Sequence, residues 1–280
     1  MKTEIIKSGD NAIARVYQQN FDYDLTDKNK KRLVLYLSRN ITETSIGYAG
    51  FSSKAALHDY LMGMVFGEKE SDNEIFKLAL DREKIIKIIK EAVIQCSNAL
   101  PSDTVHIFIF PTFSKFVKER MSGTTGYTPW KNTILVFVNP LNQRWEKALV
   151  GTVSHEFNHS VFLRYNKCGS LLDSMIFEGL AENFREQIVG GERAPWAKVF
   201  DQNQSKDLLM EMKSENILQS TNKKIYRAVF FGNRKYAAWT GYTIGYFIVA
   251  SFLHHYSTLP WKEIMIMPPQ DIFTKSGFLK

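Results

Sequence analysis

The chain has 280 residues, of which 44% are hydrophobic and 23% are charged, a composition typical of an ordinary globular protein with a sizeable core. The net charge of +7 indicates a mildly basic surface, but the basic residues cluster only at Lys28–Arg32 and no nucleic-acid-binding motif is present, so no nucleic-acid partner is expected. The two cysteines, Cys96 and Cys168, rule out a disulfide framework and a CxxC zinc motif.

Residues 1–100 predict a mostly helical N-terminal region. Asp24–Asp27 can cap a helix that runs to about residue 39, and Ser53 can cap a second helix over about 54–66. Residues 72–99 predict one or two further helices, because isoleucine and valine recur there in a broad apolar stripe.

Residues 101–140 predict a small β-sheet. Val105–Phe110 and Thr133–Val138 are rich in β-branched and aromatic residues and are bounded by prolines, which predicts two strands. Gly123–Trp130, with its glycines and proline, predicts a loop between them. His106 lies within the first strand and is expected to line it without a metal-binding role.

Two histidines and a glutamate in the next segment form the pattern HExxH. The segment from about 142 to 165 has apolar residues at helical spacing and no internal proline, which predicts one helix. His155 and His159 are four residues apart, so both imidazoles lie on one helix face, one turn apart, and can bind the same metal ion. Glu156 lies beside that pair, where it can act on a water molecule at the metal.

A second helix provides the ligand that this pair still needs. Catalytic zinc sites use three protein ligands and keep one position open. Ser174–Phe184 predicts a helix, and Glu178 follows His159 with 18 residues between them, which completes a set of two histidines and one glutamate. Glu182 lies one turn beyond Glu178 and is expected to accept a hydrogen bond from the second ring nitrogen of a ligand histidine. Residues 141–190 are therefore expected to contain the zinc helices.

Residues 191–280 predict a helical lobe. Gly190–Gly191 breaks the chain, and 195–230 predict short surface helices. Tyr236–Leu253 has no charged residue over 18 positions, a length at which a membrane span has to be weighed. Its threonines, tyrosines and glycines favour a buried helix instead, so no membrane span is expected.

The pattern HEFNH, 18 residues and then EGLAE resembles the glutamate-zincin metallopeptidases, the clan of the thermolysin-like and M1 aminopeptidase-like enzymes. More narrowly, it resembles a bacterial family of predicted zinc-dependent proteases. The motifs lie within residues 151–184, and the narrower resemblance runs from about 105 to the C-terminus. It implies an α+β fold with a small β-sheet beside the HExxH helix and a mostly helical C-terminal lobe, as in a thermolysin- or M1-like catalytic core. On this basis 101–280 is expected to form a metallopeptidase catalytic region.

The resemblance also implies a donor for the negative charge that develops on the substrate carbonyl oxygen. The related aminopeptidases carry a Tyr-x-x-Gly element beyond the third ligand, and Tyr242 opens such an element 64 positions after Glu178. Tyr242 is therefore the candidate donor, with Tyr246, one turn further on, as its rival. In the related enzymes a strand just before the zinc helix borders the substrate cleft. Thr133–Val138 is expected to be either an edge strand of this kind or an ordinary buried strand, and the sequence does not decide between the two.

Together these features predict peptide-bond hydrolysis with Zn²⁺ bound by His155, His159 and Glu178. Glu156 would act as the general base and then deliver the proton to the leaving amine. The chain lacks the Gly-x-Met-Glu-Asn element with which the related aminopeptidases hold a substrate amino terminus, so endopeptidase activity is expected. Three alternatives stay open. They are an inactive zinc-bound scaffold that binds a protein partner, a structural protein in which HEFNH is a chance surface pattern, and a hydrolase of non-peptide amides.

The expected partner is a peptide or protein substrate, and the expected location is the cytoplasm. No apolar run of signal-peptide length follows Met1. The cysteine usage also fits a reducing compartment.

Overall fold

The computed structural model describes residues 2–18, 51–67 and 80–280, together with the single positions Val34, Ser38 and Ile41. The chain divides into two compact units, Met1–Ser160 and Val161–Lys280. Apart from those single positions, the helix predicted to end near residue 39 lies outside the described residues. Residues 72–79, the first part of the region 72–99 that was predicted to hold one or two helices, also lie outside them.

The first unit contains a mixed five-stranded sheet. Its strands are β1 (Lys2–Ser8), β2 (Asn11–Gln18), β3 (Val105–Pro111), β4 (Thr124–Trp130) and β5 (Thr133–Val138). They lie in the order β1-β2-β3-β5-β4, with parallel pairing of β3 to β2 and to β5, and antiparallel pairing in the two outer pairs. β5 lies between β3 and β4, and all six of its residues are buried. Of the two positions left open for Thr133–Val138, the structure therefore has the buried one.

The prediction of a loop over Gly123–Trp130 is wrong, because β4 occupies this segment. β4 pairs with β5, and the register shifts between Tyr127 and Trp130, next to Pro129. Glycine and proline are strong loop signals, but a strand at the outside of a sheet tolerates both where its pairing is irregular. Pairing with the strongly hydrophobic strand β5 thus outweighs the preference of glycine and proline for a loop.

The hairpin of β1 and β2 was also not anticipated, since residues 1–100 were expected to be mostly helical. Gly9, at a φ of 58°, lies in the tight turn between the two strands. β2 pairs in parallel with β3, from Ala14 opposite Val105 to Gln18 opposite Ile109. The sheet therefore joins residues on both sides of the boundary that was predicted near residue 100.

Within the described ranges 2–18, 51–67 and 80–280, four helices with defined bounds accompany this sheet. They are α1 (Lys54–Phe66), α2 (Arg82–Ala99), α3 (Lys115–Arg120) and α4 (Trp145–Tyr165). Ser53 caps α1 as predicted, since its hydroxyl accepts a hydrogen bond from the backbone N–H of Ala56 at 3.1 Å. The core of the unit contains large side chains from α1 and from three strands, namely Tyr17, Leu57, Leu61, Val65, Phe108, Phe110, Leu135 and Phe137. His106 lines β3 as predicted, with its Nδ1 2.9 Å from the Tyr17 hydroxyl.

The second unit is helical. After the end of α4 it contains α5 (Leu171–Val189), a short 3₁₀ helix (Pro195–Ala197), α6 (Gln202–Ser214), α7 (Lys223–Phe231), α8 (Thr240–His255), α9 (Trp261–Ile266) and α10 (Pro269–Ser276). A capping box starts α5, in which Ser170 Oγ accepts from the Asp173 N–H at 3.1 Å and the Asp173 carboxylate accepts from the Ser170 N–H at 2.9 Å. The break at Gly190 that the sequence predicted ends α5.

Helices α5 and α8 pack closely, and two glycines permit this contact. A Cβ built on Gly179 would lie 2.1 Å from the carbonyl oxygen of Gly245, and one built on Gly245 would lie 1.9 Å from that of Met175. The two backbones therefore touch directly. The uncharged segment predicted as a buried helix forms α8, where Ile244, Ile248, Val249 and Phe252 are all buried. Among the described residues, no helix combines the length and the apolar character that crossing a membrane requires.

Candidate metal centre

Helix α4 presents the two histidines of the HExxH pattern side by side. The ring centroids of His155 and His159 are 4.5 Å apart and the ring planes are nearly perpendicular, at 87°. Both residues are buried, at 8% and 4% relative exposure. One helical turn separates them, so the geometry follows directly from their spacing in the sequence.

A third potential ligand lies next to this pair. The ligand atoms offered by His155, His159 and Glu178 all lie within 4.8 Å of one another. Two imidazole nitrogens and one carboxylate oxygen are a donor set that Zn²⁺ accepts, and three protein ligands leave a tetrahedral ion one further position. These residues therefore fit a catalytic zinc ion in number, in chemistry and in convergence. The three residues that the sequence singled out as ligands are thus brought together in the structure.

Glu156 is buried beside the histidines and is contacted by β4. The Thr128 hydroxyl is 2.6 Å from Glu156 Oε2 and 3.1 Å from the backbone carbonyl oxygen of the same residue. A Cβ built on Gly126 would lie 2.3 Å from Glu156 Cγ and 2.7 Å from its Oε1. The carboxylate is therefore held between a hydroxyl donor and a strand that has no side chain at the closest point.

The charge of Glu156 also reaches two phenols of the first unit. Burial raises the pKa of Tyr127, and the Glu156 carboxylate raises it further. Burial likewise raises the pKa of Tyr60 well above its usual value, with smaller contributions from Tyr127 and Glu156. The two rings pack together at a centroid distance of 4.9 Å. Both phenols are therefore neutral near pH 7, and Glu156 has no cationic partner among these neighbours.

Glu182 has contacts that the sequence did not reveal. Its Oε1 accepts hydrogen bonds from Nε and Nη2 of Arg185, at 3.1 and 2.8 Å, and from the backbone N–H of Ala194 at 3.0 Å. Arg185 in turn donates to the carbonyl oxygens of Gly190 and Glu192, both at 3.0 Å. This buried ion pair connects α5 to the segment that follows it. The predicted hydrogen bond from a ligand histidine to the Glu182 carboxylate stays a prediction.

The two tyrosines considered as oxyanion donors have different surroundings. Tyr246 is buried and its hydroxyl donates to Glu186 Oε2 at 2.7 Å, while the Arg193 guanidinium lies 4.1 Å from its ring centroid. Burial, with a further contribution from Glu186, raises the pKa of Tyr246 to about 12. Tyr242 is half-buried, and its ring packs edge-on against Phe230 at 5.1 Å. The hydroxyl of Tyr246 is thus engaged by a carboxylate of its own unit. Which of the two tyrosines donates to an oxyanion stays a prediction.

Thr128 and Gly126 are the contributors to this site that the sequence analysis missed. Both lie in β4, which was predicted to be a loop, and neither belongs to a motif with a fixed spacing to Glu156. Recognition of the strand would have placed them on one face, because residues two apart on a strand point to the same side. The contact with Glu156, 28 residues away from Thr128, requires the tertiary structure.

Comparisons with known proteins identify a family whose described function involves zinc. A family model described as "Predicted Zn-dependent protease (DUF2268)" matches residues 85–274. Among curated proteins, "Uncharacterized protein YjfC" of Bacillus subtilis (strain 168) is 26% identical over 173 residues, which cover 57% of this chain and 57% of that relative. The chain thus spans little more than half the length of this relative. No solved structure matches the chain.

The family match covers more than half of the chain and includes both helices that carry the donor set. His155, His159 and Glu178 all lie inside the matched range of 85–274. The matched range thus contains all three residues of the candidate metal centre. The chain belongs to the family described as predicted Zn-dependent proteases (DUF2268).

Proposed function

We propose that the protein is a zinc-dependent endopeptidase of the glutamate-zincin type, with His155, His159 and Glu178 as the metal ligands. The observation that carries this proposal is the convergence of their three ligand atoms within 4.8 Å, with the carboxylate of Glu156 directly after the first histidine. A thermolysin-like catalytic core is part of the same proposal. When bound, zinc would lower the pKa of a water molecule and polarise the carbonyl group of the substrate.

Glu156 acts as the general base in this mechanism. It takes a proton from the water molecule as the water oxygen forms a bond to the peptide carbonyl carbon. The same carboxyl group then delivers that proton to the leaving amine as the carbon–nitrogen bond breaks.

Tyr242 is the proposed donor to the carbonyl oxygen as negative charge develops on it. A phenol is a neutral hydrogen-bond donor near pH 7, so it stabilises an oxyanion without repelling a nearby cation. Glu182 is proposed to orient a ligand histidine in addition to its contacts with Arg185. Cleavage of internal peptide bonds, in preference to amino-terminal ones, rests on the missing amino-terminus-binding element in the sequence.

The test combines metal analysis with turnover of a peptide library by the purified protein. We expect one zinc ion per chain, and a sharp loss of bound zinc in His155→Ala. Glu156→Gln should keep its zinc and lose about 10² to 10⁴ in turnover, because an amide cannot accept the proton. Glu146→Gln is the matched control, since Glu146 lies exposed on the same helix and pairs with Lys84. His255→Ala is the control for the histidine change, since His255 is exposed near the end of α8.

Three outcomes would contradict parts of the proposal. Full zinc content in dialysed His155→Ala would remove that residue as a ligand. Near-normal turnover of Glu156→Gln would remove the general base. A zinc-loaded wild-type protein that cleaves no member of the library, with or without chelator, would favour the inactive scaffold instead.

A further inference from the structure

Strand β4 contacts the proposed general base at two of its residues. The shorter of the two Thr128 contacts is the one to Glu156 Oε2, at 2.6 Å, and both residues are buried, at 7% and 6% relative exposure. A hydroxyl bonded to an ionised carboxylate makes one of the stronger hydrogen bonds found in proteins. Thr128 therefore restrains a side chain that would otherwise rotate about three bonds.

Gly126 lies two residues earlier on the same face of β4. Any side chain there would collide with Glu156, because a Cβ would come within 2.3 Å of Cγ and 2.7 Å of Oε1. Glycine in a strand weakens the strand and commonly marks a place where another group approaches the backbone closely. Here the approaching group is the carboxylate that the mechanism uses.

The contact between β4 and α4 extends over one helical turn. Thr124, on the same face as Gly126 and Thr128, has its hydroxyl 2.9 Å from that of Thr152. Thr152 and Glu156 are four residues apart on α4, so two threonines of the strand contact two successive turns of the helix. The strand therefore runs alongside the helix, and Thr128 lies opposite Glu156.

We propose that Thr128 is a positioning residue for Glu156, and that Gly126 provides the space this arrangement needs. Thr128 engages Oε2, so Oε1 is the oxygen that receives the proton. A hydroxyl fixes the carboxylate without neutralising it, whereas a lysine or arginine at this position would compete for its charge. This inference rests on the proposed function, since it assigns Thr128 a role in the step that Glu156 performs.

The first experiment compares Thr128→Val with Thr128→Ser and Thr124→Val. Valine keeps the shape of threonine and removes the hydroxyl. We expect kcat to fall about 10- to 100-fold, because misplacement of a catalytic group by about 1 Å has effects of this size. KM should change by less than about twofold. Thr128→Ser should restore kcat to within about threefold of wild type. Thr124→Val loses an equivalent buried hydroxyl contact between the same strand and helix, and it should leave kcat within about twofold.

The same experiment separates this inference from the proposed function. If Glu156→Gln retains turnover, the proposed general base is wrong. If Glu156→Gln loses turnover while Thr128→Val keeps the wild-type kcat, only the positioning role is wrong. In the double variant Thr128→Val, Glu156→Gln, turnover should be no lower than in Glu156→Gln alone, and a further tenfold fall would overturn the proposal.

A second measurement does not depend on activity. Crystal structures of the wild-type protein and of Thr128→Val should show the Glu156 carboxylate displaced by about 1 Å or in two orientations in the variant, with zinc content unchanged. Gly126→Ala should displace the same carboxylate by steric contact. If Thr128→Val does not fold, Thr128→Ala serves in the same comparison. A Glu156 carboxylate that keeps its wild-type position in these variants would overturn the proposal.

Discussion

Each compact unit has a place where another group packs directly against a glycine, and the group that packs there differs between the two units. Gly126 in β4 makes room for the side chain of Glu156. Gly179 and Gly245 make room for backbone, since each lies against a carbonyl group of the facing helix in the α5–α8 pair. A side chain can rotate away from a new methyl group, but a helix backbone cannot. Alanine should therefore disturb activity at the first contact and folding at the second.

The two compact units also differ in the kind of donor that holds a buried carboxylate. Glu156 is held by a neutral hydroxyl, at 2.6 Å. Glu182 is held by the Arg185 guanidinium, at 2.8 Å, and by a backbone N–H. A neutral donor orients a carboxylate and leaves its charge available, whereas a guanidinium neutralises the charge and uses it to fix the chain. The first arrangement suits a proton acceptor, and the second suits a structural contact.

The largest effect that would test this comparison is expected from Gly245→Ala. Its Cβ would lie 1.9 Å from the Met175 carbonyl oxygen, so α5 and α8 would have to separate. We expect the free energy of unfolding, measured by urea denaturation, to fall by about 3 kcal/mol or more. Gly126→Ala should lose less stability, because the Glu156 side chain can move, and its main effect should be on kcat.

Gly63→Ala is the matched control for the change of glycine to alanine. Gly63 lies exposed within α1, and nothing lies within 4 Å of a Cβ built there. Alanine is the better helix former, so this change should stabilise the protein by about 0.5 to 1 kcal/mol. Equal losses of stability in Gly126→Ala and Gly245→Ala, with kcat preserved in the former, would refute the comparison.

A second prediction concerns the two tyrosines of α8. If Tyr242 donates to the developing oxyanion, Tyr242→Phe should lower kcat by about 10² or more, because the lost contact exists mainly in the transition state. KM, zinc content and melting temperature should barely change. Tyr246→Phe instead removes the 2.7 Å hydrogen bond to Glu186, so it should cost about 1 kcal/mol of stability and preserve kcat. The reverse pattern would assign the catalytic role to Tyr246.

The third prediction asks whether Glu182 acts on the metal as well as on Arg185. Glu182→Gln should weaken zinc affinity by about 10- to 100-fold if the carboxylate also orients a ligand histidine. The measurement is a titration in metal buffers, run beside thermal unfolding of the zinc-free protein. A lowered melting temperature with unchanged zinc affinity would show that the carboxylate serves only the ion pair with Arg185.

The part of the site that lies on helices could be predicted from the sequence. One helical turn separates His155 from His159, so their convergence is a local property of α4. The need for a third ligand then directed attention to Glu178, and the ligand atoms of all three converge. The long uncharged segment around Ile244 was likewise recognisable as a buried helix, because its composition is unlike that of a membrane span.

The parts that depend on strand pairing could not be predicted in the same way. Gly126 and Pro129 made β4 look like a loop, although pairing with β5 stabilises it as a strand. The contact of Thr128 with Glu156 depends on how the strand and the helix pack, which no sequence spacing encodes. The β1–β2 hairpin did carry a local signal, the turn at Gly9, but without β3 as a neighbour its two strands were too weakly patterned to recognise.

The close contact of α8 with α5 also has a consequence for aggregation of the protein. Tyr236–Leu253 contains no charge, and in the folded unit most of the large apolar side chains of α8 are buried or partly buried. Any opening that separates α8 from α5 exposes to water an apolar surface almost as long as a bilayer span. Exposed apolar surface of this kind makes partly opened chains prone to associate with one another. Where that association is irreversible, the lifetime of the protein is set by the rate at which this helix pair opens and not by the equilibrium free energy of folding.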